Sequence, residues 1–199
     1  MSWDPYLDLE HGVLRNRLGL TDPGELARAE ADLVATRIVD LQRTDLPGGY
    51  DLDHLQEFHE HLFGDVYDWA GELRTVAIGK GVAFCHPADL RVEGLGVFAR
   101  LADARHLRGL DRAAFVDGLT VLSARLNALH PFREGNGRTL RAFLAQLARA
   151  AGHPLRWAGL TAEENLVASR AAHAGDCRLL RALLDRHVAD RPGGPAPTA

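Results

Sequence analysis

Within twelve residues, His130-Pro-Phe-Arg-Glu-Gly-Asn-Gly-Arg-Thr-Leu-Arg141, the chain gathers an imidazole, a carboxylate, two glycines and, of three arginines, two (Arg138 and Arg141) that could act on one group. Histidine is the side chain whose ordinary pKa lies near neutrality, so His130 is the candidate general base. Ionised Glu134 can only accept, and one carboxylate together with substrate phosphates is the usual protein share of a Mg²⁺ site. Gly135 and Gly137 let backbone approach phosphate oxygens with no β-carbon in the way. Arg138 and Arg141 stand three apart on a predicted helix, share a face and offer bidentate donors to a polyphosphate. Such parts can move a phosphorus-centred group from a nucleotide onto a hydroxyl. No Gly-Lys-Ser/Thr follows a strand, so this is not a Walker loop.

Two helices must hold that segment. Asp111 reads as an N-cap, and Phe115, Leu119, Leu122, Leu126 and Leu129 recur behind it at helical spacing. Pro131 biases His130 away from helical dihedrals, which ends the helix there. A second helix is expected over 138–151, with Leu140, Phe143, Leu144 and Leu147 inward and Gly152 as its stop. Residues 130–137 then abut a helix N-terminus, where unpaired N–H groups and the dipole favour an anion. Further helices are predicted near 24–43, 52–63, 88–107, 111–129, 162–173 and 176–190. Asp51 caps one of these, and Thr161 with Glu164 forms a capping box on another. The strand signal is a hairpin, 74–78 and 82–85 flanking Gly79-Lys80-Gly81. The expected fold is mainly α, a single unit over 1–191 with one short β-hairpin, and a flexible tail at 192–199.

The twelve residues match HxFx[D/E]GN[G/K]RxxR at every fixed position, so the chain resembles the Fic family. Phe58-His-Glu-His-Leu-Phe-Gly64, Asp65-Val-Tyr-Asp-Trp-Ala-Gly-Glu-Leu-Arg74 and Arg15-Asn-Arg-Leu-Gly-Leu20 extend the resemblance over most of the chain. The resemblance implies a compact helical domain that takes ATP and Mg²⁺ and transfers AMP to a Tyr, Ser or Thr hydroxyl of a target protein. It makes His130 the base and Glu134 the metal ligand. Gly135, Asn136 and Gly137 become the anion hole, and Arg138 and Arg141 bind the β- and γ-phosphates. The hairpin residues Thr75, Val76, Ala77, Ile78, Gly79 and Lys80 become a target-docking flap. It favours a bacterial topoisomerase subunit as target. Members are commonly restrained by a helix carrying [S/T]xxxE[G/N], a pattern this chain lacks. The nearest stretch is Thr21-Asp-Pro-Gly-Glu25, which Leu26 follows. A separate small antitoxin bearing that helix is therefore implied. Two alternatives stay open: transfer of another nucleotide or phosphate-containing group, and a catalytically silent nucleotide-binding module.

The remaining features are plainer. With 199 residues, 46% hydrophobic and 25% charged, a sizeable core is expected. A net charge of −4 argues against direct nucleic-acid binding. Two cysteines make no disulfide framework, and the N-terminus has neither a basic start nor an apolar core, which together point to the cytoplasm. No apolar run is long enough to span a bilayer. His54, His59 and His61 share a helix without zinc spacing, and Tyr67 and Trp69 read as packing residues below the hairpin. The arginines along 170–191 alternate with leucines as a solvated face.

Overall fold

Four helices start on side-chain caps, three of which the sequence signals; the fourth, Asp22, it did not. Asp22 accepts from the Glu25 N–H ahead of α1 (Pro23–Arg43), and Asp51 from the His54 N–H ahead of α2 (Leu52–Phe63). Asp111 accepts from the Ala114 N–H to open α4 (Arg112–Leu129). Thr161 and Glu164 form a full capping box on α6 (Ala162–His173). Each such cap stabilises its helix by about 1 kcal/mol. The remaining helices are α3 (Leu90–Asp103), α5 (Asn136–Ala150) and α7 (Arg178–His187). This computed structural model describes residues 4–80 and 82–189, so the tail expected at 192–199 lies outside the described residues.

Helix α4 packs against α3, α5, α6 and α7, and α2 packs against α1, α3 and α5. Between them lie Phe58, Phe115, Leu119 and Phe143, all wholly buried. Phe143 meets Phe58 and Phe98 edge-on, with centroids 5.5 and 5.8 Å away. Burying a side chain of this size contributes about 1.5–3 kcal/mol. Gln146 of α5 pins the loop before α2, accepting from the Leu46 N–H at 2.9 Å and donating to the Leu46 carbonyl at 2.8 Å.

Three expectations are corrected. The predicted helix 88–107 is α3 with single 3-10 turns on either side, because Arg105, His106 and Leu107 take φ of 50°, 54° and 60°. The helix expected from 138 begins at Asn136, because Gly135 at φ 78° turns the chain directly into it. The hairpin is shorter than expected: β3 (Gly79–Lys80) pairs antiparallel with β4 (Val82–Ala83), Gly79 opposite Ala83 and Lys80 opposite Val82. Residues 74–78 form no strand, since Arg74 is drawn inward and its guanidinium takes up carbonyls from three neighbouring segments. A second ribbon absent from the sequence reading joins β1 (Leu7–Asp8) to β2 (Val13–Leu14). Among the described residues no helix is long and apolar enough to cross a membrane.

Candidate active site

His130 is the last link of α4. Its N–H donates to the Leu126 carbonyl at 3.0 Å, and at φ 46°, ψ 61° it turns the chain left-handed into Pro131. That conformation costs a non-glycine residue about 1–2 kcal/mol, so it persists only where the surroundings impose it. They do so from two sides. Nδ1–H donates to the Asn127 carbonyl at 3.3 Å, a contact that assigns the tautomer and makes Nε2 the basic nitrogen. The Phe84 ring lies flat on the imidazole, centroids 3.8 Å apart and planes within 9°.

Arg74 clamps the other side of this corner. It is 2% exposed, and its N–H donates to the Pro131 carbonyl at 2.8 Å. Its guanidinium donates to the carbonyls of His130 (2.8 Å), Val76 (2.8 Å), Cys85 and Leu129 (3.4 Å). Two of those carbonyls end α4, the negative pole of its dipole, so the cation sits where the helix favours it. Burial pushes its pKa down, but a guanidinium remains charged. One side chain thus joins the hairpin's root, its exit and His130.

The loop from Phe132 to Gly135 is held over an aromatic floor. Asn136 folds its amide back, accepting from the Phe132 N–H at 2.9 Å and donating to the Phe132 carbonyl at 2.7 Å. Phe132 stacks on His59 at 3.9 Å, and His59 on Phe63 at 4.8 Å. His59 is wholly buried; its Nδ1 accepts from the Gly71 N–H at 2.8 Å and its Nε2–H donates to the Glu134 carbonyl at 3.0 Å. Burial, chiefly, drops its pKa to about 4, so the ring stays neutral with both nitrogens engaged. Gly135 is required here by packing, since a β-carbon would stand 2.4 Å from the Phe63 ring, and by its φ of 78°.

The site residues read from the sequence divide into two groups. His130, Gly137 and Arg141 line one cavity of about 720 Å³, together with Phe84, Asn127, Trp157 and the inner face of α6. That volume suits a nucleotide-sized ligand. Gly137 lies in the first turn of α5, where N–H groups have no intrahelical acceptor and the dipole's positive end is exposed. Arg141 has no acidic partner among the described residues; burial, and then the like charge of Arg138, push its pKa down. Glu134, Gly135, Asn136 and Arg138 do not line this cavity. Arg138 instead turns toward α1, its Nη2 donating to Glu30 at 2.6 Å, with Glu134 at 3.6 Å and the Phe63 ring 4.8 Å away. The shared face expected for the two arginines is thus split by a carboxylate more than a hundred positions away.

Glu134 is half exposed, and its carboxylate has Arg138 as its nearest cation. A lone hard oxygen donor set with open access fits a Mg²⁺ whose other ligands come from phosphate and water. Among the described residues no cluster of three His, Cys, Asp or Glu could hold a metal by itself. At the flap, Thr75 donates its N–H to the Tyr6 hydroxyl at 3.0 Å, and Val76 packs on the core. Beyond them Ala77 and Gly79 are exposed, and Ile78 accepts weakly from the Phe84 N–H at 3.4 Å.

Sequence reasoning missed Arg74, His59, Glu30 and the polar stripe Asn165, Ser169 and His173 on α6. The stripe was legible at i, i+4, i+8 spacing; the others are partners across the fold. Both ring nitrogens of His173 are buried without a hydrogen-bond partner among the described residues, at the border of the cavity.

Comparison with known proteins settles the ancestry of this site. A model of the Fic/DOC family matches residues 49–148, which span α2, the flap and the whole motif. The chain belongs to the Fic/DOC family. It is 43% identical over 190 residues to protein adenylyltransferase VbhT of Bartonella schoenbuchensis, covering 95% of this chain but spanning only 40% of VbhT. It is 37% identical over 188 residues to the probable protein adenylyltransferase Fic of Salmonella typhimurium, covering 94% of this chain and 93% of that protein. The solved N-terminal Fic domain of a VirB-translocated Bep effector from Bartonella quintana, with bound ADP, superposes with a TM-score of 0.88. It is 27% identical and covers 94% of this chain and 95% of that one. The Fic fold therefore accounts for the helical frame.

Proposed function

We propose that this chain is a protein adenylyltransferase that moves AMP from ATP to a Tyr, Ser or Thr hydroxyl of another protein. The observation that carries the reading is the shared cavity, in which the basic nitrogen of His130 and the unpaired charge of Arg141 flank the start of α5. His130 Nε2 takes the hydroxyl proton while the hydroxyl oxygen bonds to the α-phosphorus. The bond from that phosphorus to the bridging oxygen breaks, and pyrophosphate departs. The reference pKa gap between histidine and a tyrosine hydroxyl is about 3.5 units, or about 5 kcal/mol, so proton transfer accompanies attack and does not precede it. General-base help of about 10²- to 10⁴-fold leaves the rest to positioning and charge stabilisation. The start of α5 and Arg141 supply that to the phosphates. Glu134 would hold Mg²⁺, which when bound offsets phosphate charge. With its two edges unpaired among the described residues, the β3–β4 ribbon suits strand addition by a target segment, presenting the hydroxyl to His130.

A small antitoxin carrying [S/T]xxxE[G/N] fits the same site, its Glu pairing with Arg141 and keeping the γ-phosphate from seating. Replacing Arg141 with Ala is expected to weaken such inhibition at least tenfold, measured as the antitoxin concentration that halves ATP binding. Unchanged inhibition rejects the pairing. The reaction belongs to the cytoplasm, and a bacterial topoisomerase subunit is the first target to try. Incubation with α-labelled ATP, Mg²⁺ and a cell lysate tests the activity itself. A labelled protein band supports AMP transfer, label from γ-labelled ATP points to phosphate transfer, and binding without either label points to a silent module.

A further inference from the structure

Glu30 stands where the core pattern of α1 calls for a hydrophobic residue. The buried positions of that helix are Leu26, Glu30, Val34 and Leu41. A carboxylate there loses its hydration and is retained only if it is fully partnered. Both oxygens are partnered: Tyr67 donates its hydroxyl to Oε2, and Arg138 donates Nη2 to Oε1 at 2.6 Å. Tyr67 is itself buried, and its phenol pKa is driven far up, by burial first and then by Glu30, so it stays a donor. Arg138 has a second carboxylate within reach, Glu134 at 3.6 Å, one helical turn earlier in the chain. Two acids therefore compete for one guanidinium, and the closer, buried one holds it.

We infer that Glu30, braced by Tyr67, is the positioning residue of Arg138, taking the guanidinium's hydrogen bond at 2.6 Å so that Glu134, left with only a 3.6 Å ion contact, keeps its carboxylate oxygens available to Mg·ATP. Without the Glu30 charge, Arg138 has one acid left to pair with, and pairing with it blocks the oxygens a metal would use. The inference rests on the role proposed for Glu134 above. It assigns to α1, outside the motif, a part in setting the metal dependence of the site.

The test is calorimetric binding of ATP to the full chain, with and without MgCl₂, for the wild type and Glu30→Gln. Glutamine keeps the volume and can still accept from Arg138, but lacks the charge. The expected result is a Mg²⁺ concentration for half-maximal enhancement of ATP binding raised about tenfold, the low end for removing a partner of a metal-site group. Metal-free ATP affinity should stay within about twofold, a split that loosened packing alone would not produce. Should Glu30→Gln fail to fold, Tyr67→Phe removes only the brace and is expected to shift the same midpoint in the same direction, by about two- to threefold. An unchanged Mg²⁺ midpoint in a folded variant overturns the inference, leaving Glu30 a packing residue. Tighter Mg·ATP binding overturns it too, making the pair inhibitory. If the wild type shows no Mg²⁺-enhanced ATP binding, it is the proposed function that fails.

Discussion

The loop that carries the motif and the flap that faces it are built to opposite standards. From Phe132 to Asn136 the backbone is fixed at three points: His59 under Glu134, the Asn136 amide on Phe132, Phe63 against Gly135. The ribbon β3–β4 has two residues a side, and a ribbon of that size is marginal without support. Its root and exit are fastened by Arg74 and Tyr6, while among the described residues no side-chain hydrogen bond reaches its middle. The lesson is a division of labour. Under the proposed function, the part that would handle a chemically invariant group, a triphosphate, is over-determined, and the part that would meet a variable partner is anchored at its ends.

The sharpest way to break that contrast is to remove the fastening the two regions share. Arg74→Met keeps most of the volume but strands the part-buried carbonyls of His130, Val76 and Cys85 and the buried one of Leu129, which predicts a stability loss of about 3 kcal/mol in denaturant unfolding. A loss below about 1 kcal/mol would mean that water replaces the guanidinium freely.

The loop's floor gives a pH signature. His59 has a folded pKa of about 4, below its unfolded value of about 6.5, so the unfolded chain binds more protons between those values. Its contribution is fully present above about pH 6.5 and is lost as pH falls toward 4. The wild type should therefore lose about 3 kcal/mol more than His59→Gln across that window, at about 1.4 kcal/mol per unit. Parallel stability–pH curves for the two proteins would contradict this.

The flap should respond in the opposite currency. Exchanging Ala77 for Thr is expected to change stability by no more than about 0.5 kcal/mol. It should still alter KM for the protein target severalfold with KM for ATP unchanged, read from steady-state transfer rates. Equal shifts in both would show that the flap is part of the nucleotide site.

Much of this was legible before any coordinates. Helix positions followed from caps and from leucine spacing, and the motif's residue types announced phosphate chemistry. What could not be read were the partners that cross the fold. Arg74 looked like the first residue of a strand because β-propensity ignores where a guanidinium can find acceptors. Glu30 drew no reading at all, since nothing local marks a carboxylate whose cation lies at Arg138. Arg138 and Arg141 looked equivalent by spacing, and only Glu30 separates them. Local pattern places elements; long-range satisfaction of buried charge decides which residues are free to act.

The central claim is that the basic nitrogen at the end of α4 and the anion site at the start of α5 serve one bound nucleotide. The most direct measurement pairs calorimetric ATP binding with α-label transfer in His130→Asn, a substitution that tolerates the φ of 46° at this position. The account predicts transfer reduced by about 10²-fold or more, with ATP affinity held within about threefold. Transfer kept within about tenfold of wild type, in a folded variant, would contradict it.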